Sequence, residues 1–169
     1  MAQMIPDTIP KTATSGEKLL YKTLKEHLPE EFIVYYEPEI KGRRPDFLII
    51  SPILGLLVLE VKDYTRSTLV NLNRDDWLIQ YGKSEITTVK SPLKQARENV
   101  FHIIDFLKKD KSLLHWDGDN KGKIKFPYGF RTVFTKMSQE ECVRDQIYHV
   151  IEPEFMLTKS EIDPQLEFD

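Results

Sequence analysis

Pro45-Asp46-Phe47-Leu48-Ile49-Ile50, a turn signal at Ser51-Pro52 that runs to Gly55, and then Leu56-Leu57-Val58-Leu59-Glu60-Val61-Lys62 read as two consecutive strands of one hairpin. The second strand is apolar almost without alternation, as expected for a strand covered on both faces by helices, which places it centrally in a sheet. Glu60 interrupts that apolar run. Strand side chains alternate, so Glu60 and Lys62 project from the same face, about 7 Å apart along the chain. A hairpin of this length brings Asp46 beside Glu60.

Working outward, residues 32–36 (Phe-Ile-Val-Tyr-Tyr) are β-branched and aromatic and read as a preceding strand, followed by a polar turn at Lys41-Gly42-Arg43-Arg44. Upstream of it, Thr14-Ser15-Gly16-Glu17 fits a helix capping box, with Leu19, Leu20, Leu24 and Leu28 on one face and Pro29 closing the helix. Residues 1–13 contain Pro6 and Pro10 and little periodicity, and are expected as a flexible lead-in to a single domain over residues 14–169. Downstream, residues 68–72 and 76–79 predict a hairpin around Asn73-Arg74-Asp75, with Trp77 packed on one face. Ser91-Pro92 supplies an N-cap and a first-turn proline for a long helix striped by Leu93, Ala96, Val100, Ile104 and Leu107. A strand is expected over residues 131–135, a short helix over 137–143 and a last short strand over 147–151. The sum is an α/β fold, a mixed β-sheet flanked by helices in the order α-β-β-β-α-β.

Composition narrows the function classes. The 169 residues are 40% hydrophobic and 30% charged with a net charge of −3, so no overall field draws the chain onto nucleic acid and any such contact needs a local patch. The single cysteine, Cys142, excludes an internal disulfide and a cysteine-rich zinc site. The longest apolar run, Leu56 to Leu59, is far short of the ~20 residues that span a bilayer, and a soluble, cytoplasmic protein without membrane contact is expected. The four histidines are not at ligand spacing. The acidic stretch from Asp117 to Gly122 carries Lys121 where a calcium loop wants Asp or Asn, and reads as a surface turn.

The chemistry therefore concentrates on Asp46, Glu60 and Lys62. Two carboxylates converging on one point repel unless a cation lies between them, and such hard oxygen ligands suit Mg²⁺ or Mn²⁺. An unpaired carboxylate buried at Glu60 would cost several kcal/mol, so a partner is required. The competing reading is a structural ion pair with Lys62.

Pro45-Asp46 with Glu60-Val61-Lys62 resembles the signature of the PD-(D/E)xK nuclease superfamily, whose fold is restriction-endonuclease-like. More narrowly, Gly16-Glu17, Arg44-Pro45-Asp46-Phe47, the strand from Gly55 to Lys62, Trp77, and Pro92 with Gln95 resemble the nuclease-related domain, NERD, over roughly residues 15–135. The resemblance implies a nuclease in which Asp46, Glu60 and the Val61 carbonyl bind the metal, Lys62 faces the reacting phosphate, and Glu17 and Gln95 complete the site. It also implies nucleic acid, DNA first, as partner, and attachment to a helicase or other module in the same or a partner chain. The residues themselves account for Glu17 as a capping-box glutamate and place Gln95, with Asn99 and His102, opposite the apolar stripe of its helix, on a face expected to be solvated. Arg43, Arg44, Lys83, Lys90, Lys94 and Arg97 are the candidates for phosphate contact; nothing in the chain reads base sequence. The rival to a nuclease is a non-catalytic module that keeps the fold and holds nucleic acid or a protein in the same groove.

Overall fold

The computed structural model describes residues 1–163. In chain order its elements are β1 (Gln3–Ile5), α1 (Ser15–His27), β2 (Ile33–Tyr36), β3 (Phe47–Ser51), β4 (Gly55–Lys62), β5 (Leu69–Leu72), β6 (Asp76–Ile79), β7 (Thr87–Lys90), α2 (Pro92–Leu107), β8 (Tyr128–Phe134), α3 (Gln139–Arg144), β9 (Met156–Leu157) and α4 (Lys159–Ile162). Six strands form a mixed sheet in the order β1-β2-β3-β4-β8-β9, and β5-β6-β7 form a second, three-stranded sheet. β4 is central, antiparallel to β3 and parallel to β8.

Alternation along β4 assigns each residue to one of two cores. Leu59 and Val61 face Leu20 and Tyr21 of α1 together with Val34, Phe47 and Ile49. Leu56 and Val58 face Val100, Ile103 and Ile104 of α2, with Leu48 beside them. Because strand side chains on one face recur every second residue, Glu60 and Lys62 continue the α2-side row, and Asp46, two residues before Leu48, lies on that face as well. The hairpin between β3 and β4 is tight at Gly55, whose φ of +79° is left-handed and where an added Cβ would lie 1.9 Å from the Pro127 carbonyl oxygen.

Several expectations need correction. Residues 1–13 are not a loose lead-in: β1 pairs in parallel with β2, Ala2, Met4 and Ala13 are buried, and the Tyr21 hydroxyl donates to the Pro6 carbonyl at 2.7 Å. Residues 147–151 are not a strand. Ile147–His149 is a 3₁₀ turn entered through Gln146 in the left-handed region, and both Ile147 and Ile151 point into one core. The place beside β8 goes to β9 instead. The hairpin around Asn73 gains a third strand, β7, so that Trp77 is fully buried, stacked on Phe134 at 5.8 Å between ring centroids, with its Nε1 donating to the Asn73 carbonyl. Ser91 stands at the N-cap of α2, but its hydroxyl caps nothing; Pro92 at the first turn carries the start alone.

Candidate active site

The site lies where the β3–β4 ladder ends. Pairing stops at Phe47 opposite Leu59, so Asp46 sits one step beyond the ladder, next to Glu60. Val61 donates its N–H to Asp46 Oδ2 at 2.7 Å. The N–H and C=O of one strand residue leave the strand on the same side, so the Val61 carbonyl faces the same open edge. Asp46 in turn accepts the Glu37 N–H on its own carbonyl at 2.8 Å, which brings the end of β2 to the site.

Glu60 is 2% exposed, and its Oε2 has no hydrogen-bond partner among the described residues. Lys62 Nζ lies 3.8 Å from the other oxygen, Oε1. An ion pair is therefore present, but it leaves half of a buried carboxylate unsatisfied. Burial first and the charge of Asp46 second, against the opposing pull of Lys62, push the Glu60 carboxyl up to about 8. Asp46 is pushed up to about 6, again chiefly by burial, while the Val61 N–H and Lys62 work in the opposite direction. Two acids that resist ionisation next to each other, one with an orphan oxygen, fit a divalent cation, which would satisfy that oxygen and favour both charges.

Glu17 reaches the same place from the other side of the sheet. It serves as the capping-box residue of α1, and its Oε2 accepts from the Thr14 N–H at 2.9 Å and the Tyr36 hydroxyl at 2.8 Å. Both readings of this glutamate hold at once: capping fixes the first turn, and Tyr36, at the end of β2, aims the carboxylate toward Asp46. Glu17, Glu37 and Asp46 each offer an oxygen within 4.8 Å of the others. Asp63 fixes the approach of α1, since its carboxylate accepts from the Gly16 N–H at 3.2 Å and hydrogen-bonds the Thr135 hydroxyl at the end of β8.

Residues 12–127 match the family model of the nuclease-related domain, NERD, more than half of the chain. The chain belongs to the NERD family. The match spans Glu17, Asp46, Glu60, Lys62 and Gln95, and the mixed sheet flanked by helices is the nuclease-like fold that membership implies. No curated protein and no solved structure matches the chain.

Not every candidate residue converges on the NERD site. Gln95 is half-buried and makes no side-chain hydrogen bond to Asp46, Glu60 or Lys62. Its side of α2 is nevertheless not solvated as expected. Asn99 is 3% exposed, and a His102 ring nitrogen lies 3.0 Å from the carbonyl of Lys41, in the turn that leads into Asp46. Among the basic candidates, Arg43 and Lys90 both pair with Glu98, and Lys94 pairs with Asp75 at 3.3 Å. Arg97 lies over the Phe101 ring at 5.5 Å, and Arg44 is exposed. Two contributors went unread in the sequence. Tyr36 ends β2 and Glu37 follows it, and only the strand register, Tyr36 opposite Phe47, carries them to Asp46.

Proposed function

We propose that this chain is a divalent-metal-dependent nuclease domain that hydrolyses phosphodiester bonds of DNA through its backbone, with Asp46 and Glu60 as metal ligands and Lys62 as the cationic residue beside the phosphate. The observation that carries this reading is the buried Glu60 Oε2 without a partner, set between Asp46 and Lys62 on one face of the sheet. Mg²⁺ or Mn²⁺ bound there would supply positive charge to the phosphate oxygens and acidify a water. Asp46 is oriented for this role by the Val61 N–H, and the Val61 carbonyl borders the same space. Lys62, with 24% of its side chain exposed, reaches from Glu60 toward the mouth, where its ammonium stabilises charge developing on the phosphate. Glu17 holds its place through Thr14 and Tyr36 and adds acidic density at the rim. Gln95 and Asn99 line the α2 flank.

The test is cleavage of end-labelled duplex and single-stranded DNA, and of RNA, with Mg²⁺, with Mn²⁺ and with EDTA. DNA cleavage that needs the metal is expected. Lys62→Ala should lower the rate by on the order of 10²–10³ while the variant still folds and binds DNA. DNA binding with no cleavage by the wild-type chain under any of these metals would favour the non-catalytic module instead.

A further inference from the structure

Asn99 of α2 is almost wholly buried, yet its carboxamide makes no hydrogen bond among the described residues. A buried amide of this kind loses hydration on a donor and an acceptor and gains no bond in return, which folded proteins rarely tolerate without a use. Glu60 Oε2 and Ser91 Oγ are the sealed side-chain atoms without partners among the described residues, and the oxygen and nitrogen of Asn99 are not with them. The residue is thus buried by its body and open at its polar tip. We propose that Asn99 is a substrate-contact residue, whose carboxamide N–H donates to a phosphate oxygen of the nucleic-acid strand lying across Asp46 and Glu60. The inference rests on the nuclease reading above and names a further residue that recognises its substrate.

Two courses of the chain bring this position to the site. β4 and β8 are parallel and α2 lies between them in sequence, so the helix runs back along both and begins at the end of β4 that carries Glu60 and Lys62. Val100 shares a cluster with Leu48 and Val58, and the next residues on that face of the sheet toward the start of α2 are Asp46 and Glu60. The segment before Asp46 follows the same direction along the helix. The Lys41 carbonyl lies 3.0 Å from a His102 ring nitrogen and its ammonium lies 5.3 Å from the centre of the Phe106 ring, while Arg43 pairs with Glu98. Two residues of chain thus move the contact about one turn toward the start of α2, and Asp46 arrives level with Asn99 and Gln95. Gln95, one turn before Asn99, is half-buried and also makes no side-chain hydrogen bond among the described residues, so two uncommitted amides follow each other on this flank. Their chemistry suits the surroundings. A cation here would be held by the carboxylates of Asp46 and Glu60, whereas a neutral amide keeps its N–H free for a phosphate.

Asn99→Leu keeps the volume and removes the amide, and three measurements on the full chain separate contact from scaffold. The melting temperature should not fall, because no bond is lost in the free protein. The dissociation constant for a short DNA duplex in Ca²⁺, read by fluorescence anisotropy, should rise by roughly ten- to a hundredfold, the worth of one hydrogen bond to a charged group. In cleavage with Mn²⁺, KM should rise with it while kcat changes little, as for a contact made equally before and during the reaction. Asn99→Ala, which deletes the amide without adding branches, should weaken binding alike and covers the case in which leucine is not accommodated. Wild-type dissociation constants and KM in these variants overturn the contact and leave the nuclease reading standing. Binding weakened by both variants of a chain that cleaves with no metal overturns the nuclease reading and leaves the contact, and a wild-type chain that does not bind DNA overturns both.

Discussion

A carboxylate set among leucines and valines is unfavourable unless something stabilises its charge, and at Glu60 the cation that pairs with it among the described residues is Lys62, 3.8 Å away. The consequence is a pH dependence with a definite sign. Folded values of about 8 for Glu60 and about 6 for Asp46 lie above the ordinary 4.5 and 3.8, so between them the metal-free fold holds more protons than the unfolded chain. Stability from these two acids is therefore present at low pH and declines as pH rises through 6 toward 8. In EDTA the melting temperature should fall from pH 5 to pH 8; Glu60→Gln should remove most of that fall, and Mn²⁺ should stabilise far more at the upper end, where protons no longer compete. A Mn²⁺ effect of equal size at both ends of the range would contradict the assignment. Asp46, Glu60 and Lys62 were legible in the sequence because charged residues are conspicuous against an apolar strand. Glu37 was not, because an acid after a strand and before a proline has many uses, and only the register of β2 on β3 brings it to Asp46.

At the scale of elements, the decisive contact is the start of α1 against the ends of β4 and β8. A Cβ at Gly16 would fall 1.8 Å from Asp63 Oδ1 and 2.2 Å from Thr135 Oγ1. The helix can dock, and Glu17 can reach its place, only because position 16 has no side chain. Gly16→Ala should thus cost about 1–3 kcal/mol of stability through overpacking, and should depress cleavage beyond that cost because Glu17 moves with the helix. Chemical denaturation and cleavage measured on the same preparation check both halves; a variant as stable and as active as wild type would show that the contact relaxes freely. Elements with local signals, such as the capping box of α1 and the stripe of α2, were readable for the same reason that they form. β1 and β9 were not, with three and two residues, nor was β7, three of whose four residues are exposed; each lies on an edge that a neighbouring strand offers. The spacing of Ile147 and Ile151 is helical, and the apolar composition of residues 147–151 obscured it. Asn99 is buried although it lies off the apolar stripe of α2, a burial that the stripe alone does not signal.

Over the whole molecule, a net charge of −3 means that affinity for a polyanion depends on which cations remain uncommitted. Arg43 and Lys90 share Glu98, Lys94 meets Asp75, Arg74 meets Glu152 and Arg66 meets Asp145. Each such surface pair is worth only about 0–1 kcal/mol, but a phosphate drawn to one of these cations also meets the neighbouring carboxylate, so little net charge is gained. Arg44 and Arg97 make no ion pair among the described residues, and Arg44 is two positions from Asp46. Each phosphate contact releases counterions and steepens the dependence of binding on salt, by about one unit in a plot of log affinity against log salt concentration. Arg44→Ala and Arg97→Ala should therefore each reduce that slope by about one, whereas Lys90→Ala and Lys94→Ala should change it by clearly less. Fluorescence anisotropy with a short DNA duplex, in Ca²⁺ to prevent cleavage and across a range of KCl, measures the four slopes. Equal reductions for all four variants would mean that the ion pairs open on binding, so that the substrate path follows the outer face of α2 rather than the turn that leads into Asp46.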